Sequence, residues 1–322
     1  MVAKYQDNRS VKVSSPLGPN ILLFSRMTSV EHVSQPFQCD LSLFSESGDL
    51  DPDKILGKPL AVSLATDGEA PSRYFHGIVT DFEQVGYGQR LHEYRAVIRP
   101  WYWFLTRTAD CRIFQGKTVI EIFQDVCKQA GFSDLELRVG SHPQREYCVQ
   151  YRETDFNFLS RLLEHEGIFY FFEHSENKHV MVLADDVAQC KSIAGYDNVP
   201  YFPPTTDGAM RTRDHLQAWS IQKSFQPGSY ASRDYDLEHP SPIPAGAASI
   251  SRAHNPTKFE MYDYPAEADE LEAGSSQITS KGVERIAKLR IEELQASQMV
   301  ARGSGDAAGL AAGCLFRLAG HP

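Results

Sequence analysis

The residues whose types could support catalysis or metal binding are concentrated in one segment, 151–174, which reads YRETDFNFLSRLLEHEGIFYFFEH. A helical zinc-protease site needs two histidines four residues apart, with a glutamate beside the first, so that one face of the helix holds the metal and the base. The segment does not have that spacing, and its polar residues flank a block of aromatic side chains. We therefore interpret it as packing with a solvated polar rim formed by Arg161, Glu164, His165, Glu173 and His174.

Other catalytic signatures are incomplete. The string RGSGD at 302–306 does not have the spacing of a nucleophile elbow. The string GYGQRL at 86–91 has two glycines of a dinucleotide-binding turn but not the third. Adjacent acids such as Asp185 and Asp186 are usually solvated rather than catalytic. We expect no catalytic residue, no metal ligand and no cofactor.

Composition excludes some classes of partner. The chain of 322 residues carries 42 acidic and 32 basic residues, a net charge of −10, so its field repels nucleic acid and anionic lipid. No apolar run has the length of a membrane span or a signal-peptide core, and the six cysteines are scattered as in a reduced protein. We expect a protein that starts in the cytoplasm, without nucleic acid and without stable membrane insertion.

The first hundred residues show the alternation of half-buried strands. Apolar and polar residues alternate in FQCDLSLFSE and in PLAVSLAT, and two further strands follow in 70–100. Gly86 and Gly88 are placed at the tip of that hairpin, where positive φ angles are common. His76 and His92 flank the hairpin, and we interpret them as a polar cross-strand pair. These patterns predict a sheet that can close into a barrel.

From about residue 111 the apolar period changes to that of a helix. In GKTVIEIFQDVCKQAGF, Thr118 and Glu121 have the spacing of a capping box, in which each side chain bonds a free backbone amide of the other. Gly131 follows the apolar stripe and is placed to end the helix. The pattern predicts an amphipathic helix between Thr118 and Gly131.

The segment 151–174 repeats this design. Thr154 or Asp155 can cap a helix, and Gly167 is placed to stop it before the strand IFYFF. Large side chains on both faces of that strand predict that it is covered on both sides. The predicted apolar face of the helix comprises Phe156, Leu159, Leu162 and Leu163.

The second half is richer in turns. A second hairpin is predicted within 215–240, with Pro227 and Gly228 at its tip. Both hairpins carry a tyrosine in the return strand, Tyr94 and Tyr235, which is a weak indication of duplication. The string KGVERIAKLRIEELQ then predicts an amphipathic helix.

The fold class predicted is mainly β with α+β elements. We divide the chain into a first β-barrel domain at 1–105, a connecting subdomain of helices and strands at 106–205, and a second, related β domain at 206–322. A helical segment near 260–297 interrupts the last of these. The scaffold residues chosen for the fold are Thr118, Glu121, Gly131, Phe156, Leu159, Leu163 and Gly167.

Several long strings resemble one known family. FHGIVTDFEQVG, EYRAVIRPWYWFLTRTADCRIFQGKTVIEIFQDV and the whole of 151–174 are similar, in this order, to the N-terminal part of the VgrG family, the spike proteins of type VI secretion systems. PGSYASRDYDLEHP and LAAGCLFRLAGHP fit the later part of the pattern. The resemblance implies a phage-hub-like fold with two related β-barrel tube domains joined by helix-containing connecting subdomains.

The resemblance also implies a structural role and a set of partners. Family members are homotrimers whose ring, of near-sixfold symmetry, stacks on the hexameric Hcp tube. Baseplate proteins and effectors are further partners, and a PAAR-repeat protein binds the tip of a needle that follows the hub. The needle region is missing here, so we expect a fragment that retains only the hub. Family members assemble in the cytoplasm and are then secreted or injected without a signal peptide.

Two alternatives stay open at this point. The first is a phage-tail-like cell-wall hydrolase with Glu164 or Glu166 as proton donor. The second is an adaptor for loading effectors, docking them through the turn-rich loops 196–215 and 241–258. Hydrolysis of peptidoglycan would favour the first, whereas effector binding that is lost when these loops are deleted would favour the second.

Overall fold

Strands outnumber helices in the computed structural model, which describes residues 6, 8–66, 71–88, 90–204, 213–252, 256–268 and 278–321. The first six strands are β1 (Val11–Ser14), β2 (Leu23–Val30), β3 (Gln38–Ser45), β4 (Pro59–Leu64), β5 (Arg73–Tyr87) and β6 (His92–Arg99). They form one antiparallel sheet in the order β1-β4-β5-β6-β3-β2. A three-residue 3-10 turn, Pro52–Lys54, precedes β4.

This sheet is nearly closed, because its end strands β1 and β2 approach one another. The buried side chain of Gln6 bridges the seam. Its Nε2 donates to the carbonyls of Val13 and Leu22, at 3.2 Å each, and its Oε1 accepts from the Val13 amide at 2.7 Å. The nearly closed sheet confirms the predicted barrel-like architecture.

Apolar and polar residues alternate along strand β3, and the apolar residues of this alternation are buried, as predicted. In β3, Cys39, Leu41 and Leu43 face the interior, while Asp40 lies on the outer face. The hairpin of β5 and β6 is also confirmed. Its tip differs from the prediction, because neither Gly86 nor Gly88 has a positive φ angle.

The connecting region begins with a 3-10 helix, Trp101–Arg107. The strands that follow are β7 (Ala109–Thr118), β8 (Leu135–Arg138), β9 (Gln144–Thr154), β10 (Phe169–His174) and β11 (His179–Ala184), with helices α1 (Val119–Gln129) and α2 (Asp155–Glu166). β7 and β9 pair as an antiparallel ribbon, whereas β10, β11 and β8 form a three-stranded sheet. The two helices lie between the ribbon and the 3-10 helix, with Phe114 of β7 stacked on Phe158 of α2.

Local hydrogen bonds fix the ends of α1 and α2. Thr118 and Glu121 form a reciprocal capping box, and Gly131 follows α1 at φ 83°. Thr154 caps α2 by accepting from the Asn157 amide, and Gly167 ends it at φ 72°. Each helix therefore begins after a threonine whose side chain caps the first turn. Each is followed by a glycine, the residue that most easily adopts the positive φ angle needed there.

The second half contains nine short strands and one long helix among the residues described. They are β12 (Lys191–Ser192), β13 (Asn198–Pro200), β14 (Leu216–Lys223), β15 (Ser229–Arg233), β16 (Ala245–Ser249), β17 (Glu260–Asp263), α3 (Ser280–Ala296), β18 (Met299–Gly305), β19 (Cys314–Leu315) and β20 (Arg317–Ala319). Two three-residue 3-10 turns, Val187–Gln189 and Pro256–Lys258, complete the elements. Helix α3 packs on β15 and β16.

The predicted second hairpin in 215–240 is wrong. β14 pairs with β18, and β15 pairs with β16 and β17, so the two strands on either side of Pro227 do not pair with each other. The turn at Pro227 joins two different sheets, and Tyr235 lies beyond the end of β15. The loops 196–215 and 241–258 lie partly outside the described residues, since 205–212 and 253–255 are not among them.

One large hydrophobic core spans the barrel sheet, α1, α2 and the three-stranded sheet. Two smaller clusters lie in the second half, one beneath α3 and one around Tyr196, Val199 and Leu216. Within the ranges described, no helix combines the length and the apolar character that crossing a membrane requires.

Candidate functional site: two buried polar joints

Two clusters of buried polar side chains lie where the elements of the fold meet. The first, called here the histidine joint, comprises the side chains of His76, His174 and His179 with the backbone amide of Trp101. His76 belongs to β5 of the barrel, Trp101 begins the 3-10 helix, and the other two histidines face each other across the turn between β10 and β11. The joint therefore connects the barrel to the three-stranded sheet.

The hydrogen bonds of the histidine joint determine the tautomers of the neutral His179 and His76 rings. The Trp101 amide donates to His179 Nε2 at 2.9 Å, so a neutral His179 carries its hydrogen on Nδ1. That Nδ1 lies 3.0 Å from His76 Nδ1, which must then accept and carries its own hydrogen on Nε2. The Nδ1 of His174 lies 3.1 Å from both the backbone nitrogen and the backbone oxygen of His76.

Burial favours the neutral form of all three rings. Removal from water lowers the pKa of His174 to about 4 and, with the charges of the neighbouring rings, that of His179 to about 2. Burial also lowers the pKa of His76, although Asp134 acts in the opposite direction. At neutral pH the joint is uncharged.

The second cluster, called here the Glu166 junction, lies at the end of α2. The Glu166 side chain, 1% exposed, accepts from Arg145 at 2.9 Å and from Arg285 at 3.1 Å, and its Oε2 lies 3.4 Å from His142 Nδ1. His142 in turn contacts Asp185 through Nε2 at 3.2 Å. Because Arg285 belongs to α3, the junction ties the second half of the chain to the connecting region.

The surrounding cations keep Glu166 ionised. Burial alone would raise the pKa of Glu166, but the hydrogen bonds from His142 and Arg145 and the charge of Arg285 outweigh it and hold the pKa well below its usual range. The hydrogen bond to Glu166 raises the pKa of His142 against the effect of burial. An acid held in this state is a poor proton donor, which removes Glu166 from the role of general acid.

The structure corrects the interpretation of two sets of polar residues. His76 and His92 do not face each other, because β5 pairs Tyr87 with His92, while His76 lies near the other end of the strand. The supposed solvated rim is also only partly correct, since Glu164 is exposed but the ring of His174 is enclosed by Phe37 and Phe75. Tertiary contacts between distant strands, which the local pattern does not encode, decide both cases.

The scaffold residues chosen from the sequence lie around the helices. Leu159 and Leu163 are buried in α2, whereas Phe156 is half-buried against Tyr102, and Phe158 takes a deeper position. Gly167 allows α3 to approach, because a Cβ atom there would lie 2.5 Å from Leu289 Cδ2. None of the seven residues belongs to the histidine joint or to the Glu166 junction.

No group of His, Cys, Asp or Glu side chains in the described part of the chain is arranged to hold a metal ion. The three rings of the histidine joint instead use their facing nitrogens on one another and on the backbone. A cleft of about 470 Å³ lies beside the joint, between β10 and the segment that includes Gly309 and Gly313, and its walls are largely apolar. These arrangements join elements and do not point to a reaction.

Comparison with known proteins gives the family. The model of the phage tail baseplate hub family (GPD) matches residues 30–322. The type VI secretion system spike proteins VgrG1a and VgrG1b of Pseudomonas aeruginosa are 43% and 41% identical to this chain, over 98% and 100% of its length.

The chain belongs to the VgrG branch of the phage tail baseplate hub family. It spans about half the length of these curated relatives, 48% of VgrG1a and 42% of VgrG1b.

Solved structures support the same fold. An Escherichia coli protein, c3393, described as a component of the type VI secretion system with structural similarity to the T4 tail proteins gp27 and gp5, has a TM-score of 0.59 at 18% identity. The match covers 93% of this chain and 67% of that one. A 43 kDa tail protein from prophage MuSo2 of Shewanella oneidensis has a TM-score of 0.56 at 14% identity, covering 91% of this chain and 81% of its own. The mainly-β, phage-hub-like fold predicted from the sequence is confirmed.

Proposed function

We propose that this chain is the hub of a type VI secretion spike and works by shape and assembly rather than by bond chemistry. Three copies form a ring that receives the hexameric Hcp tube on one side and passes force to a needle on the other. The observation that carries the proposal is the VgrG similarity along nearly the whole chain, at 43% identity, together with the nearly closed six-stranded sheet.

Symmetry gives the physical reason for two β units in one chain. A trimer meets a hexameric tube through repeated and similar surfaces only if each chain supplies two of them. We assign these to domains at 1–105 and 206–322, with 106–205 as the connecting subdomain and α3 as the helical interruption of the second domain. The capped helices, with the scaffold residues Thr118 to Gly167, hold the connecting subdomain rigid between the two.

The histidine joint and the Glu166 junction are consistent with a protein that transmits force. The histidine joint fastens the barrel to the three-stranded sheet, and the Glu166 junction fastens α3 to the end of α2. Both use hydrogen bonds, whose directional geometry fixes the orientation of the groups that they join. The hub thereby moves as one body when the tube pushes on it.

The proposed partners follow from this role. They are two further copies of the chain, the Hcp tube, baseplate proteins and effectors, with a PAAR tip protein binding only through a needle region beyond these residues. No nucleic acid, membrane insertion or cofactor is part of the proposal. The protein assembles in the cytoplasm and leaves with the tube through the type VI apparatus.

Binding to the tube tests the proposal directly. The chain, joined to the C-terminal half of VgrG1a so that a needle can form, is mixed with Hcp tubes and imaged by electron microscopy. We expect particles with threefold symmetry on one end of each tube. Absence of end-bound particles, at Hcp concentrations where tubes are abundant, contradicts the proposal.

A hydrolysis assay separates this role from the enzymatic alternative. Purified peptidoglycan is incubated with the chain and with the Glu164→Gln variant, which changes an exposed acid and leaves the buried junction intact. We expect no release of glycan fragments by either protein. Release that depends on Glu164 contradicts a purely structural hub.

A further inference from the structure

In the histidine joint, neither His179 nor His76 can gain a second proton without losing a hydrogen bond. The free nitrogen of His179 already faces the Trp101 N–H, and that of His76 faces the N–H of His179. A proton added to either nitrogen would therefore replace a hydrogen bond by two opposed donors. The ring centroids of His179 lie 5.2 Å from His76 and 6.2 Å from His174, so positive charges on these rings would also repel.

We propose that the histidine joint is an acid-sensitive latch that holds the barrel on the three-stranded sheet while its rings are neutral and releases it when they are protonated. The joint is well placed for this, because it connects β5, the start of the 3-10 helix and the turn between β10 and β11. Phe37 packs edge-on against His174 and His179, and the side chains of His76 and His179 are buried, so these two rings are shielded from water while the elements stay together.

The charged groups around the joint do not compensate a histidinium. Glu31 favours protonation of His174, but it is bonded at 2.6 Å to Arg73, which opposes it. Asp134 favours protonation of His76, but it lies 3.6 Å from the ammonium group of Lys178. Each carboxylate that faces the rings from the neighbouring elements thus already has a cationic partner.

The direction and size of the effect follow from linkage. Opened rings titrate near pH 6.5, whereas burial in the closed joint holds the pKa of His174 to about 4 and that of His179 to about 2. Well above pH 6.5 neither state binds the protons, and the latch keeps its full stability. As the pH falls below 6.5, the open state gains protons that the closed state does not, and at pH 5 each of these histidines favours opening by about thirtyfold.

Exchange of the histidine C2 hydrogens, followed by mass spectrometry in the intact folded chain, tests the latch ring by ring. We expect His174 and His179 to show no titration between pH 5 and pH 8 while the joint stays closed. Midpoints for His174 and His179 near the ordinary histidine value of 6.5 would overturn the proposal.

Amide exchange at Trp101 tests the release itself. After correction for the intrinsic pH dependence, we expect protection of this amide to fall at least thirtyfold between pH 7 and pH 5, while amides of β3 lose less. In His179→Gln, the side-chain oxygen can accept the Trp101 amide and does not titrate, so the fall should shrink, whereas the control His32→Gln should keep it.

Equal losses at Trp101 and in β3, in the wild-type chain and in both variants, would contradict the latch. If His179→Gln does not fold, the C2 exchange and the wild-type Trp101 measurement decide the question alone. The proposal does not depend on the assembly role, because both measurements are made on the chain without tube or partner.

Discussion

Replacing Glu166 by Gln removes the charge at the centre of the Glu166 junction while keeping the shape of the side chain. Arg145 and Arg285 then keep their positive charges without the carboxylate that both contact, at 2.9 and 3.1 Å. Breaking a buried ion pair by removing one partner costs about 3–5 kcal/mol. Because Arg285 is 27% exposed and can turn towards water, we expect a loss near the lower end, about 3 kcal/mol.

Urea unfolding followed by circular dichroism, together with the fluorescence of the three tryptophans, measures this loss. The matched control is Glu164→Gln, an exposed acid on the same helix, for which we expect a change within about 0.5 kcal/mol. The cycle of Glu166→Gln and Arg285→Ala should give a coupling of about 1–3 kcal/mol if the contact joins the two halves. A Glu166→Gln variant as stable as the control would refute the reasoning.

The pH dependence of the same variant provides a second check. The pKa of Glu166 is held below its ordinary value of 4.5, so its contribution is present above pH 4.5 and is lost as the pH falls further. The wild-type chain should therefore lose stability more steeply than Glu166→Gln below pH 4.5. Parallel curves would show that the carboxylate is not ionised in the way its contacts require.

Three further predictions concern other contacts. Gly167→Ala should cost about 1 kcal/mol more than Gly131→Ala in urea unfolding, because both positions have positive φ but only the first would place a Cβ against the end of the Leu289 side chain. Equal costs would contradict this. Gln6→Ala should lower the free energy of unfolding by about 1–3 kcal/mol and speed amide exchange in β1 and β2, because the Val13 amide and the carbonyls of Val13 and Leu22 lose their partner. Unchanged exchange in both strands would contradict this. The pKa of His142 is raised by its hydrogen bond to Glu166, so protonated His142 stabilises the fold fully below pH 6.5 and less as the pH rises through the raised pKa. His142→Gln should therefore flatten the decline of the urea unfolding midpoint at alkaline pH. An unchanged decline would contradict this.

Short stretches of sequence determine the individual helices and strands of this fold. The capping residues Thr118 and Thr154 act on amides three residues away, and the alternation in β3 follows from the geometry of a single strand. Such signals can be interpreted locally, and the resemblance of whole strings to the spike family adds the order of the units.

The joints could not be predicted in the same way. His76 and His179 are separated by 103 residues, and Glu166 and Arg285 by 119, so their meeting depends on how whole sheets pack. The failed hairpin around Pro227 has the same origin, because β18, from the far end of the chain, occupies the place beside β14. A polar residue beside an apolar stripe looks solvated until the element that covers it is known.

The solution mass of the chain joined to the C-terminal half of VgrG1a, measured by light scattering over a concentration series, tests the central claim most directly. The hub account predicts a stable species of three times the single-chain mass that does not dissociate on dilution. A monomer at every concentration of this fusion would contradict it.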